Sequence, residues 1–592
     1  MKRSLLAIFA VLVLAIGLVA PVLAQPGTTR PFRPFLSGPI WVYNNWSSYD
    51  ELSDDVPLTE AMAMRELGQV LRLRRLGVHI DYYVMDAFWY DPNGGYRKWR
   101  SDGWPNGPEH WLGTLERNGI LPGLWFSTNS LAHLYPVPQW ESSLTKNRGA
   151  MAMYAGGFLP DFMDVLQYWY NRGVRLFKFD FADLIAAAAG DEAKLTLPEI
   201  RERNTVALRA ALMDFRARNP DVVLVAFNGF GGDYDYTVDP APFRDPLDLR
   251  WLDAFDSVYA GDPRAADLPE FDFWRSMDVY SDHTVRRFAA NGVPLRRIDS
   301  TSFMVGNTGT NYQRGTSAWK GMLLLEMARG GWVNTLHGNL ELLSDSDARW
   351  FARAQRLYAP LQQAGATTLF GGVPGKGEGY GFASQRSDGA LYAVVNPAQR
   401  IAIVPLPPRD REVDPHGLGR VLFHDSGFEP TAAPDSIRLG PGQMAIIGFG
   451  RYANGVYDLG VQPDIRIPRE IAPVAARFMP TDARNTVEAV VMPPAAGDLR
   501  ILMQQHESEE GGVMRSMSQG TMGRFFVIDA TQGKRTLPVH IRYDKKIWSG
   551  LSWAGGEIRH GDMIPNQPIR LRLSSAETEK VRLDAWVFEV RY

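Results

Sequence analysis

The chain of 592 residues is 45% hydrophobic and 22% charged, a composition that excludes a disordered chain and gives length for several domains. Its formal net charge of -3 offers no basic field, which argues against nucleic acid and anionic membranes as partners. Cysteine is absent, so disulfides, a thiolate nucleophile and thiolate metal ligands are excluded.

Taken in order, the chain begins with Lys2 and Arg3, an apolar run from Leu5 to Val19, and Val22-Leu23-Ala24 before Gln25. This reads as a signal peptide over residues 1–24, shorter than a spanning segment, so the expectation is a protein exported to the periplasm or the medium with no membrane attachment after cleavage. From residue 36 to 362 a strand-then-helix alternation repeats eight times. The strands are expected at Pro39–Asn44, His79–Met85, Leu121–Phe126, Val174–Asp180, Val222–Asn228, Asp256–Ala260, Arg297–Phe303 and Trp332–His337, with amphipathic stretches such as Leu58–Leu76, Leu197–Asn219 and Ser346–Leu361 between them. Eight such units fit an α/β fold with a closed (β/α)8 TIM barrel better than an open sheet. Residues 365–451 are rich in strand and turn signals and read as a small antiparallel β domain. Residues 452–592 read as a C-terminal β-sandwich of the carbohydrate-binding kind.

In a TIM barrel the chemistry sits at the C-terminal ends of the strands. Here those ends bring Asn44-Asn45-Trp46, Asp86-Ala87-Phe88-Trp89, Trp125, Lys178 with Asp180, Asn228, Asp262, Asp299 and His337. One polar strand end is ordinarily a cap or a turn; eight at one rim read as a site. In the fourth strand, period-2 alternation puts Val174, Leu176, Lys178 and Asp180 on one face and Phe177 and Phe179 on the other.

Aspartates at facing strand ends among Trp and Asn point to glycosidic cleavage by two carboxylates, one attacking the anomeric carbon and one protonating the leaving oxygen. Lys178 is suited to keep Asp180 ionised, which makes Asp180 the candidate nucleophile. For the acid/base the region after the sixth strand offers Asp262, at a strand end, and Asp278, where a loop enters a helix. Asp262 is favoured, and Asp282 reads as a helix-surface residue. No P-loop, zinc spacing or calcium loop occurs. A barrel that binds carbohydrate without catalysis, and a transglycosidase using the same residues, both stay open.

The motifs resemble clan D glycoside hydrolases, the α-galactosidases and melibiases of families 27 and 36, over about residues 36–450. Asn44-Asn45-Trp46 is similar to the clan's first-strand motif, Tyr83-Val84-Met85-Asp86-Ala87-Phe88-Trp89 to its second, and Gly123-Leu124-Trp125-Phe126 to its third. Phe177-Lys178-Phe179-Asp180 resembles the nucleophile motif, and Ile298-Asp299 through Asn307 the seventh strand. The resemblance implies retaining hydrolysis of an α-glycoside of an oligosaccharide or polysaccharide, without metal or cofactor, with Asp180 forming the glycosyl-enzyme. It further implies that Trp46, Asp86 and Lys178 hold the sugar, with Trp89, Trp125, Asn228, Arg275 and Asp299 as further candidates. Ala87 stands where the clan commonly has a second aspartate, so the sugar is left open. Trp274-Arg275-Ser276-Met277-Asp278 resembles the family 27 segment that carries the acid/base, which keeps Asp278 alongside Asp262.

Overall fold

The computed structural model describes residues 36–49, 56–231, 247–261, 266, 273–300, 303–306, 315–409, 419–506, 526–545, 552–576 and 580–592. The expected signal peptide and Asp262 lie outside these residues.

Nine parallel strands curl into a barrel: β1 Ile40–Asn44, β2 Tyr82–Met85, β3 Leu121–Ser127, β4 Leu176–Asp180, β5 Val223–Ala226, β6 Ser257–Tyr259, β7 Ile298–Asp299, β8 Phe303–Val305 and β9 Val333–Gly338. Their order is β7-β6-β5-β4-β3-β2-β1-β9-β8. The expected seventh strand is therefore two short ones: its first half pairs with β6 (Tyr259 beside Asp299) and its second with β9 (Met304 beside His337). The helices are α1 Glu60–Arg75, α2 Glu109–Arg117, α3 Phe158–Asn171, α4 Leu197–Arg218, α5 Phe273–Ala290, α6 Trp319–Ala328 and α7 Asp345–Ala364. Local signals explain their starts. The Thr59 side chain caps α1, while Thr196 with Glu199 and Ser344 with Asp347 form reciprocal capping boxes on α4 and α7. Along α1, Met62, Ala63, Leu67, Val70 and Leu73 form the buried stripe that packs against the barrel wall.

The expected alternation in β4 is present where the strand is. Leu176 joins Val42, Val84, Val223, Val225 and Val333 inside the barrel, and Phe177 and Phe179 belong to the outer core under the helices. Val174 lies before the first ladder pair and is buried with the outer core instead.

Beyond the barrel, a six-stranded sheet (Thr367–Gly371, Tyr380–Arg386, Gly389–Val395, Met444–Gly450, Arg420–Ser426, Gly460–Arg466) packs its inner face into the same core as the barrel helices, through Tyr380, Phe382, Leu391, Phe423, Met444 and Ile446. A small three-stranded sheet accompanies it. Two five-stranded sheets then form the C-terminal sandwich, with Leu499, Ile501 and Met503 of one facing Ile528, Leu571 and Leu573 of the other. Among the described residues no helix is long and apolar enough to cross a membrane.

Candidate active site

The barrel interior is layered. Val42, Val84, Leu176, Val225 and Val333 form an apolar floor, and above it Asn44, Lys178, Tyr259, Asp299, Thr335 and His337 close around a cavity of about 10 Å³, the room of a single water at most. Inward position on a strand places each of these side chains, as it does in any barrel of this size.

The polar layer is organised by Asp86. Its carboxylate Oδ2 accepts from Asn44 Nδ2 at 2.6 Å and from Lys178 Nζ at 2.8 Å, and its Oδ1 accepts the Ala87 N–H at 2.9 Å. Both members of the Lys178–Asp86 pair are buried, so the ammonium and carboxylate neutralise each other out of water, where losing either would strand the other. The Lys178 ammonium also lies 5.6 Å from the Trp46 ring and 5.3 Å from the Tyr259 ring. His337 meets Trp46 edge-to-face at 5.9 Å. Burial, with the Lys178 charge added to it, pushes the His337 imidazole down to about 3, so it is neutral at ordinary pH. Thr335 donates to Asp299 Oδ2 at 3.0 Å, deep in the barrel.

Asp180 stands two residues above Lys178 at the end of β4 and is half-buried. Its carboxylate accepts from Trp125 Nε1 at Oδ2, 3.1 Å, and from the Phe181 N–H at Oδ1, 2.8 Å. Its carbonyl accepts the Thr128 N–H at 2.6 Å, locking the ends of β3 and β4 together. Phe181 pays for this geometry with a left-handed backbone (φ 40°), unusual for a bulky residue, and Ser47 (φ 69°) and Phe230 (φ 54°) do the same after β1 and β5. Lys178, two residues down the same strand, pairs with Asp86 at 2.8 Å. Three residues beyond Asp180, Asp183 is a carboxyl that burial raises above its usual range, with its N–H donating to Asn129 Oδ1 at 2.7 Å. His337 is one of the strand ends the sequence offers; Asp183, Tyr259 and Thr335 carry no strand-end signal. Thr335 and His337 share the inward face of one strand, a signal the alternation does carry.

Other expected site residues lie elsewhere. Trp89 is fully buried among Tyr90, Trp99, Phe126 and Trp169 and donates through Nε1 to the Trp125 carbonyl at 2.7 Å, so it holds the back of β3 and presents no face to a sugar. Arg275 and Asp278 are buried at the seam between α5 and the six-stranded sheet. Arg275 donates to the Gly442 carbonyl at 2.8 Å, to Asp278 Oδ2 at 3.2 Å and to Asp425 Oδ2 at 3.0 Å. Asp282, expected on a helix surface, is fully buried, because Arg329 at 2.7 Å and the Tyr380 hydroxyl claim its carboxylate. Asn228 opens the turn that follows β5, where Gly229 and Phe230 are both left-handed. Among the described residues no group of three or more His, Asp or Glu is placed to hold a metal ion.

No family model and no curated protein matches the chain. Among solved structures it is similar to the galactosidase domain of an α-galactosidase–sucrose kinase, at 15% identity and a TM-score of 0.47 over 70% of this chain and 54% of that one, so the chain spans about half the length of that neighbour. It is similar to a family 27 β-L-arabinopyranosidase from Geobacillus stearothermophilus, at 13% identity and a TM-score of 0.45 over 70% of this chain and 98% of that one. It is similar also to the trehalulose synthase of Pseudomonas mesoacidophila, at 13% identity and a TM-score of 0.45 over 71% of this chain and all of that one.

Proposed function

We propose that the chain is an exported glycoside hydrolase that cleaves α-glycosidic bonds with retention, α-galactosidase-like in its substrate. The observation that carries this reading is Asp180: a half-exposed carboxylate at a barrel strand end, fixed by Trp125 and Phe181, directly above a buried polar layer. Asp180 attacks the anomeric carbon and forms a glycosyl ester while the leaving oxygen takes a proton from the acid/base; the same acid/base then deprotonates the water that releases the sugar. As acid/base we propose Asp262. The burial of Asp278 against Arg275 supports this choice, since a fully buried carboxyl presents no face to a leaving oxygen. Trp46 offers the sugar an apolar ring, and the Lys178–Asp86 pair, neutral overall, keeps charge from collecting beneath it.

A screen of chromogenic α- and β-glycosides tests the proposal. The wild-type protein should hydrolyse an α-glycoside and release the α anomer first, as followed by proton NMR. Asp180→Asn should lose roughly 10⁴-fold or more in kcat with an unchanged circular dichroism spectrum. Full activity in Asp180→Asn would remove Asp180 from the mechanism, and first release of the β anomer would exclude retention.

A further inference from the structure

On the β2 side of the rim lies a second cavity, of about 380 Å³, lined by Tyr49, Ala87, Phe88, Tyr90, Arg100 and His133 with Asp91 and Asp102 at its edge. That volume is within the range of small-molecule sites. Neither Asp180, Lys178, Asp86 nor Trp46 lines it, so its walls are other than those of the polar layer. It is nonetheless joined to the reacting carboxylate through one ring: Phe88 packs edge-to-face on Trp125 at 5.7 Å, and Trp125 donates to Asp180.

The chemistry of the walls selects an occupant. Phe88 lies 4.2 Å from the His133 ring and 6.3 Å from the Tyr90 ring. The tyrosine hydroxyls are already spent on backbone, Tyr49 on the Ala87 carbonyl and Tyr90 on the Ala132 carbonyl, so those side chains offer the cavity carbon surface. The charged groups come in compensated pairs, Arg100 with Asp102 at 3.3 Å and Asp91 with Lys98 at 2.7 Å. Lys98 and the Asn93 N–H hold the Asp91 carboxyl below its usual range, so it stays an acceptor. An ionic ligand would find each opposite charge already neutralised, whereas a molecule with an apolar face and a fringe of hydroxyls finds rings, donors and acceptors together. His133 is held in the left-handed region (φ 48°), a strain that sets its ring against Phe88 on the wall.

We infer that this cavity is a subsite for a second, neutral pyranose unit of the saccharide cut at Asp180. The inference rests on the glycosidase reading above. It makes the enzyme selective for oligosaccharides over glycosides whose leaving group carries no ring.

The test compares raffinose with α-galactosyl fluoride, whose leaving group is one atom, in wild type, Arg100→Ala and Ser101→Trp, the last filling the cavity from an exposed position. The ratio of kcat/KM for raffinose to that for the fluoride should fall about tenfold in both variants, roughly 1.4 kcal/mol. An unchanged ratio, or an equal loss on both substrates, overturns the subsite. If wild type hydrolyses neither compound, the glycosidase reading fails, and calorimetric titration with raffinose then decides the cavity separately. Binding to wild type that is lost in Ser101→Trp supports it, and no binding to wild type, or equal binding to both, overturns it.

Discussion

Two buried charge clusters in this molecule share their chemistry and differ in what stands next to them. Inside the barrel, Lys178 and Asp86 pair at 2.8 Å; at the seam beyond β6, Arg275 joins Asp278 and Asp425 at 3.2 and 3.0 Å. Around the barrel pair are the ring of Trp46, a water-sized gap and, two residues up the same strand, the half-exposed Asp180. The seam cluster is capped by the Gly442 carbonyl and the Met444 N–H and continues into a second buried pair, Arg329 with Asp282. A buried ion pair therefore points to chemistry only where the strand that carries it goes on to put a carboxylate within reach of solvent. Where backbone closes over it, the same pair fastens two sheets' worth of structure together.

The contrast can be broken at either cluster. The largest expected effect is on rate: Asp180→Asn should abolish turnover and leave the thermal midpoint unmoved. Arg275→Met should do the reverse, costing roughly 3–5 kcal/mol of stability by leaving Asp278 and Asp425 as buried carboxylates, while kcat measured well below the lowered midpoint stays near wild type. If Arg275→Met abolished turnover in folded protein, the seam would be part of the active site after all. A smaller effect comes from protonation. Burial raises the Asp425 carboxyl to about 6, with the Arg275 charge opposing the shift and Asp278 adding to it. A carboxyl whose folded value is raised contributes stability that is fully present below the unfolded value, near 3.8, and lost as pH rises through the folded one. Wild type should thus lose stability between about pH 4 and 6, by roughly 2–3 kcal/mol if this group acted alone, and Asp425→Asn should flatten that window. Urea midpoints across the range measure it, and an identical slope in both proteins would exclude Asp425 as the cause.

How much of this was legible beforehand follows the range of the interactions. The face of β4 that carries Lys178 and Asp180 is a period-2 property of five residues, and it is correct. That the Lys178 ammonium pairs with Asp86 depends on a residue 92 positions away. The segment Trp274 to Asp278 has a motif's residue types, but its Arg275 is claimed by Asp425, 150 positions on, and no local pattern announces that. The seventh strand divides because its two halves pair with different neighbours, a property of ring closure and not of the stretch from Arg297 to Phe303.

Trp89 offers the finest test of the comparison, because it sits beside the site in sequence and behind it in space. Its indole donates to the Trp125 carbonyl, and Trp125 in turn donates to Asp180, so Trp89 is a positioning residue two bonds removed from the chemistry. Trp89→Phe keeps most of the ring packing against Trp99 and Trp169 and removes one buried hydrogen bond, which should cost about 1 kcal/mol of stability. If Trp89 held sugar by stacking, the smaller ring would raise KM and leave the fold untouched. If it only braces β3, the thermal midpoint falls, KM holds, and any loss appears in kcat, since a displaced Trp125 loosens its grip on the Asp180 carboxylate. The split between KM and kcat in this one variant therefore separates a residue that touches the substrate from one that aims the residue that does.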